Sequence, residues 1–146
     1  MRRQPDSNAC FVCGRENPAG LKLDFFEVEG RVEATFTPRP EHQGWPGFVH
    51  GGILFAALDE TIGRVGFTVD AYVMSGRIEI RYRQPAPIGA PLRLVGMLIR
   101  DRGRALELQG FAQLEDGTVV AEATGLYMRV PDELRTSLEQ QIAEGF

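Results

Sequence analysis

His50-Gly51-Gly52-Ile53-Leu54-Phe55-Ala56-Ala57-Leu58-Asp59-Glu60-Thr61-Ile62-Gly63 decides how the rest of the chain reads. From about Gly52 the apolar positions recur at i, i+4 steps (Leu54, Leu58, Ile62 and Ala57, Thr61, Val65), which predicts a helix from Gly52 to about Thr68 with a frayed last turn near Gly66. The unbroken apolar run Ile53 to Leu58 makes that helix apolar around most of its circumference, so it needs cover on every side. The run also sets Asp59 where an unpaired carboxylate costs several kcal/mol, which makes it the first candidate for chemistry.

Outward from this helix the pattern is strand. Leu21 to Glu29 and Arg31 to Thr37 read as a hairpin broken at Gly30, and Pro38 to Phe48 as a long loop carrying His42, Gly44 and Trp45. After the helix, Arg77 to Arg83 alternates, with Ile78, Ile80 and Tyr82 on one face, until Pro85, Pro87 and Gly89 stop it. Leu92 to Arg100, Arg104 to Leu114 and Thr118 to Val130 follow, joined at Asp101-Arg102-Gly103 and Glu115-Asp116-Gly117; the middle run puts Leu106, Leu108, Gly110, Ala112 and Leu114 on one side. Direct hairpins force an antiparallel sheet, so the expected class is α+β: about six strands wrapped around one long central helix. Residues 1–20 read as an irregular lead-in, 131–146 as a short C-terminal helix, and 1–146 as a single domain. One such sheet covers only part of an apolar helix, and a second copy of the chain is the expected cover.

Composition narrows the partners. At 146 residues and 43% hydrophobic content the chain can bury one core, and a net charge of -4 argues against nucleic acid and anionic membrane surfaces. No apolar run reaches the roughly 18 to 20 residues of a membrane span, and Arg2-Arg3 is followed by no hydrophobic segment, so no secretory signal and a cytoplasmic location are expected. Lys22 is the one lysine among 16 cationic side chains. Guanidinium groups suit phosphate, and a genomic base bias explains the ratio equally well.

Two parts of an acyl-transfer site are visible. Gly51 and Gly52 open the helix, where unobstructed amides and the positive end of the dipole suit a thioester oxygen gaining charge; Asp59 can attack a carbonyl or activate water. Eight residues of helix separate Gly51 from Asp59, roughly 12 Å at about 1.5 Å per residue, too far to serve one carbonyl. Two helices running antiparallel across a two-fold axis would bring the amide of one chain to the carboxylate of the other. The plainer alternatives are tight packing for the glycines and an acid tied to backbone or arginine for Asp59. Glu60, about 100° further round the helix, is either a solvated or salt-bridged side chain or the working acid itself.

His50-Gly51-Gly52, Asp59 nine positions after the histidine, and Ser75-Gly-Arg-Ile-Glu-Ile-Arg-Tyr82-Arg-Gln-Pro85 together resemble the hotdog-fold acyl-CoA thioesterases of the phenylacetate-pathway type, over about residues 20 to 130. The resemblance implies hydrolysis of an aromatic or medium-chain acyl-CoA by a homodimer or a dimer of dimers, with no cofactor beyond the coenzyme A of the substrate. It implies Asp59 as the acid that attacks the thioester or activates water, the Gly51 amide as oxyanion donor, His50 as the shaper of that turn, Gly52 beside it on the substrate, and Ser75 as a hydroxyl holding the attacking water. Some relatives place an asparagine near the leaving sulfur six residues before the histidine; that position is Gly44 here, and His42 or Gln43 stand in the same loop as substitutes. For the coenzyme A phosphates the candidates are Arg83 first, then Arg81, with Arg100, Arg102 and Arg104 on the later strands and turns. Two other readings use the same scaffold: a non-catalytic acyl-CoA sensor, and an enoyl thioester hydratase pairing His42 with Glu60. Cys10-Phe-Val-Cys13-Gly14 resembles half of a zinc knuckle; the chain has no further cysteines to close a four-ligand site, so no metal is expected and a reduced structural turn is the reading.

Overall fold

A computed structural model describes residues 1–146. Seven strands form one antiparallel sheet: β1 (Arg2–Arg3), β2 (Phe26–Val28), β3 (Arg31–Phe36), β4 (Val73–Tyr82), β5 (Leu92–Asp101), β6 (Ala105–Leu114) and β7 (Val119–Arg129). Their order across the sheet is β1-β2-β3-β5-β6-β7-β4. The sheet curves around α1 (Gly51–Gly63), a 3-10 turn continues α1 from Arg64 to Val69, and α2 (Asp132–Ala143) closes the chain. This is the expected α+β hotdog arrangement with one strand more than expected.

The differences have local causes. The lead-in is not wholly irregular: Arg2 and Arg3 pair with Glu27 and Phe26, and Gln4 is buried with its amide on the Phe25 carbonyl. Leu21 to Phe25 alternates buried and half-buried as a strand should, yet Leu21 and Leu23 donate their amides to Phe11 and Val12 of the lead-in, so the regular strand starts only at Phe26. The helix opens one residue early at Gly51, because His50 caps it, and tightens to 3-10 geometry after Gly63. β4 begins at Val73, four residues ahead of the alternating run, with a bulge between Ser75 and Arg77 that leaves Gly76 out of the ladder.

Contact between helix and sheet depends on two glycines that face each other across β5 and β6, Gly96 and Gly110. A methyl group at Gly96 would lie 2.7 Å from the Thr61 carbonyl, and one at Gly110 would lie 2.6 Å from the Ile62 side chain. The backbones therefore approach more closely than any side chain allows. Leu54, Ala57, Leu58, Thr61 and Ile62 are the buried side of α1, packed with Leu94, Leu106, Leu108, Phe36 and Tyr127. Ile53, Phe55 and Ala56 stay half-buried on the other side of the helix. β4 is the last strand of the sheet, paired with β7 alone, and its second edge is free.

Candidate active site

The two ends of α1 open into two different clefts. At the N-terminal end a cleft of about 830 Å³ is lined by Gln43, Gly44, Trp45, Phe48, Gly51, Tyr82 and Arg83, among others. Its walls are held by the long loop folding back on the chain: Val49 donates to the Ala86 carbonyl at 2.9 Å and His50 to the His42 carbonyl at 2.8 Å. The ring of His50 then turns onto the helix, and its Nδ1 accepts the Gly52 amide at 2.9 Å. Gly52 is thus committed to the cap. The Gly51 amide donates to nothing in the chain and faces the cleft at the positive end of the helix. Tyr82 fixes the turn from the other side, its hydroxyl donating to the Gly51 carbonyl at 2.8 Å.

At the other end, Asp59 lies half-buried in a cleft of about 370 Å³ with Ser75, Tyr127, Met74 and Phe67. Both hydroxyls converge on one carboxylate oxygen: Ser75 donates to Asp59 Oδ1 at 2.8 Å and Tyr127 at 2.9 Å. Oδ2 accepts nothing from the chain. Burial, with the Asp59 charge beside it, pushes the Tyr127 hydroxyl up, so it stays protonated and remains a donor. The carboxylate is therefore held at one oxygen and free at the other, the arrangement a nucleophile or base needs. Tyr127 carried no motif. Its one signal was its place on the inward face of β7 after the small residues Ala121, Ala123 and Gly125, where a large aromatic with a polar tip needs a partner.

The remaining candidates separate cleanly. Glu60 is the salt-bridged alternative: Arg64 Nε reaches its Oε2 at 3.1 Å, and burial still pushes its carboxyl up to about 7. His42 is only 4% exposed, accepts the Arg39 amide on Nδ1 at 2.9 Å, packs on Phe36 and lines neither cleft. Desolvation pushes its pKa down, the behaviour of a core histidine. It stands outside the lining of the Gly51 cleft, and within the chain it makes no hydrogen bond to Glu60. Gln43 does line the Gly51 cleft; its Oε1 accepts the Gly47 amide at 2.9 Å and its Nε2 has no partner. Arg83 borders the same cleft and pairs with Glu122, whereas Arg81 is exposed, sits 3.7 Å from Glu79 and lines neither cleft. Arg100, Arg102 and Arg104 lie at the β5–β6 turn, away from Gly51.

An antiparallel sheet curved around α1, with a cleft at each end of that helix, is the hotdog fold. The chain belongs to the thioesterase superfamily, whose family model matches residues 46–121. It is 30% identical over 126 residues to the acyl-coenzyme A thioesterase THEM4 of Mus musculus, covering 84% of this chain and 54% of that protein. It is 27% identical over 121 residues to THEM5 of the same organism, covering 82% and 46%. The chain spans about half the length of these curated relatives. Among solved structures, a thioesterase superfamily protein superposes with a TM-score of 0.79 at 30% identity, covering 83% of this chain and 60% of the other. The PaaI protein of the E. coli phenylacetic acid degradation operon shares the fold with a TM-score of 0.71 at 18% identity, covering 76% and 81%.

Proposed function

We propose that two copies of this chain hydrolyse the thioester of an aromatic or medium-chain acyl-CoA, each site taking the Gly51 amide from one protomer and the Asp59 carboxylate from its partner. The observation that carries this reading is the division of labour along α1: an amide without an acceptor at one end and a carboxylate with one unpartnered oxygen at the other, in separate clefts. Each half lacks what the other supplies.

The free edge of β4 supports the pairing. β4 runs alongside α1 in the opposite sense, since Ser75 near its start touches Asp59 and Tyr82 at its end touches Gly51. Two such edges joined antiparallel are related by a two-fold axis, and that axis exchanges the Ser75 end of one protomer with the Tyr82 end of the other. Exposed Met74 and Tyr82 on β4, and half-buried Ile53, Phe55 and Ala56 on α1, give the joint apolar surface to cover.

In the reaction the Gly51 amide donates to the carbonyl oxygen as it becomes an oxyanion. Asp59 Oδ2 either adds to the carbonyl carbon, the C–S bond breaking to leave a mixed anhydride that water then cleaves, or takes a proton from the water that adds, the C–S bond breaking as that proton passes to the departing thiolate. Gln43 Nε2 is the free donor on the leaving-group side. Arg83, at the rim, exchanges Glu122 for a phosphate of coenzyme A. Two relatives named acyl-coenzyme A thioesterases, and a Streptococcus mutans structural neighbour solved with acetyl CoA, support this substrate class.

Mixing two inactive variants tests the shared site. Asp59→Asn removes the carboxylate. Gly51→Pro removes the amide proton at the first helical position, where proline is tolerated, and His50 ahead of it already has the extended backbone proline requires (φ -62°, ψ 133°). An equal mixture that exchanges subunits should recover about a quarter of wild-type activity, since half the dimers carry one intact pair. No recovery, with heterodimers present, overturns the shared site.

A further inference from the structure

Cys10 and Cys13 remain outside the proposed reaction, and the fold gives them a third companion that their spacing could not reveal. Glu60, on α1, brings a carboxylate oxygen to the two sulfurs, and the three donor atoms all lie within 4.8 Å of one another. We propose that Cys10, Cys13 and Glu60 form a binding site for a divalent transition metal with thiolate affinity, zinc foremost, with a fourth position open to the cleft that also holds Asp59.

Four features of the cluster are those of a metal site. The turn is knuckle-like: a side chain at Gly14 would lie 2.5 Å from the carbonyls of Asn8 and Cys10, so glycine alone lets the chain curl tightly enough to put both sulfurs on one side. Backbone amides point at the sulfurs, Val12 to Cys10 Sγ at 3.3 Å and Ser7 to Cys13 Sγ at 3.5 Å, and such donors favour thiolates. The carboxylate is oriented from behind, as metal ligands are. Arg64, itself buried over the Phe25 ring at 4.3 Å and donating to the Pro5 carbonyl at 2.9 Å, takes Glu60 Oε2 at 3.1 Å, which leaves Oε1 facing Cys10 Sγ, also at 3.1 Å. Charge also closes: two thiolates and a carboxylate balance a dication and Arg64, and the nearby Asp6 is balanced by Arg3.

Tetrahedral zinc with bonds of about 2.3 Å to sulfur and about 2.0 Å to oxygen separates its donors by roughly 3.5 to 3.8 Å, which side-chain rotation reaches from the arrangement present. Cys10, Cys13 and Glu60 line the same cleft, so a water or an entering ligand can take the fourth position. Asp6 Oδ1 on that wall is buried without a hydrogen-bond partner, 3.9 Å from the Arg64 guanidinium. A bound metal would tie the lead-in to the helix one residue from Asp59. Metal uptake at this site is read independently of turnover.

The test is metal uptake by the full chain, reduced and freed of metal, without an affinity tag. Titration with zinc against a chromophoric chelator should give one equivalent per chain, and cobalt(II) should give a thiolate-to-metal charge-transfer band with the intense visible bands of a four-coordinate ion. Cys10→Ser and Cys13→Ser should each abolish that band. Glu60→Gln should keep the band and weaken uptake at least tenfold. Zinc should also protect both thiols of the unaltered chain from alkylation, a measurement that needs no variant to fold. Absence of uptake by the reduced chain, uptake unchanged by either serine variant, or thiols alkylated as fast with zinc as without it would each overturn the site.

Discussion

The two ends of α1 lie on one rigid helix and are built by opposite means. At Gly51 the group the proposed reaction uses is backbone: an amide without an acceptor, next to the Gly52 amide that the His50 ring takes. At Asp59 it is a side chain, held at Oδ1 by hydroxyls from two strands, β4 and β7, and free at Oδ2. The amide end needs only local chain geometry. The acid end needs the sheet in correct register, and this difference predicts what each will tolerate.

The largest effects come from deleting either functional group. Asp59→Asn should lower acyl-CoA hydrolysis by about 10² to 10⁴-fold, the range lost with a positioned acid or base, and Gly51→Pro by about 10² to 10³-fold, the value of one oxyanion donor; both should keep the circular dichroism of the folded chain. Steady-state rates against an acyl-CoA panel check this, and an unchanged rate for either variant breaks the comparison at that end. Tyr127→Phe sharpens the acid end. It removes one of two hydrogen bonds to the charged Oδ1, and a loss of about 1.5 kcal/mol in positioning corresponds to about tenfold in kcat with KM little changed. At the amide end the corresponding support is the cap. His50→Ala should cost about 0.5 to 2 kcal/mol in stability, read by urea denaturation, while freeing the Gly52 amide. Equal stability would show that the ring contributes nothing to the helix start.

Much of the fold was legible because its signals are local. The helix, the hairpin turns at Asp101–Gly103 and Glu115–Gly117, and the alternation of β6 depend on period and turn chemistry; the turns and the alternation appear where the sequence put them, and the helix opens one residue early and is α-helical only to Gly63. Asp59 and Gly51 stood out by the cost of placing an acid, and by the lack of side chains, in an apolar helix. What escaped depends on contacts distant in sequence. Tyr127 reaches Asp59 across 68 positions, and Glu60 reaches Cys10 across 50, so neither spacing carried a message. His42 misled for the converse reason. A histidine in a loop rich in proline and glycine looks available for chemistry, and only the packing of Phe36 and the Arg39 amide shows that its ring is structural.

The bulge at Gly76 has a consequence for how this scaffold can vary. Along a regular strand Ser75 would share its face with Arg77 and Glu79 and look away from the helix; omitting one residue from the ladder puts it opposite Tyr127, on the side of Ile78 and Ile80. One inserted residue acts as a parity bit: it decides whether a hydroxyl points toward the acid or into solvent, while the downstream pairing, Ile78 with Gly125 and Ile80 with Ala123, is left undisturbed. Single-residue insertions and deletions upstream of Arg77 are thus a low-cost route by which a chain of this architecture could gain, lose or exchange the group that steadies its carboxylate.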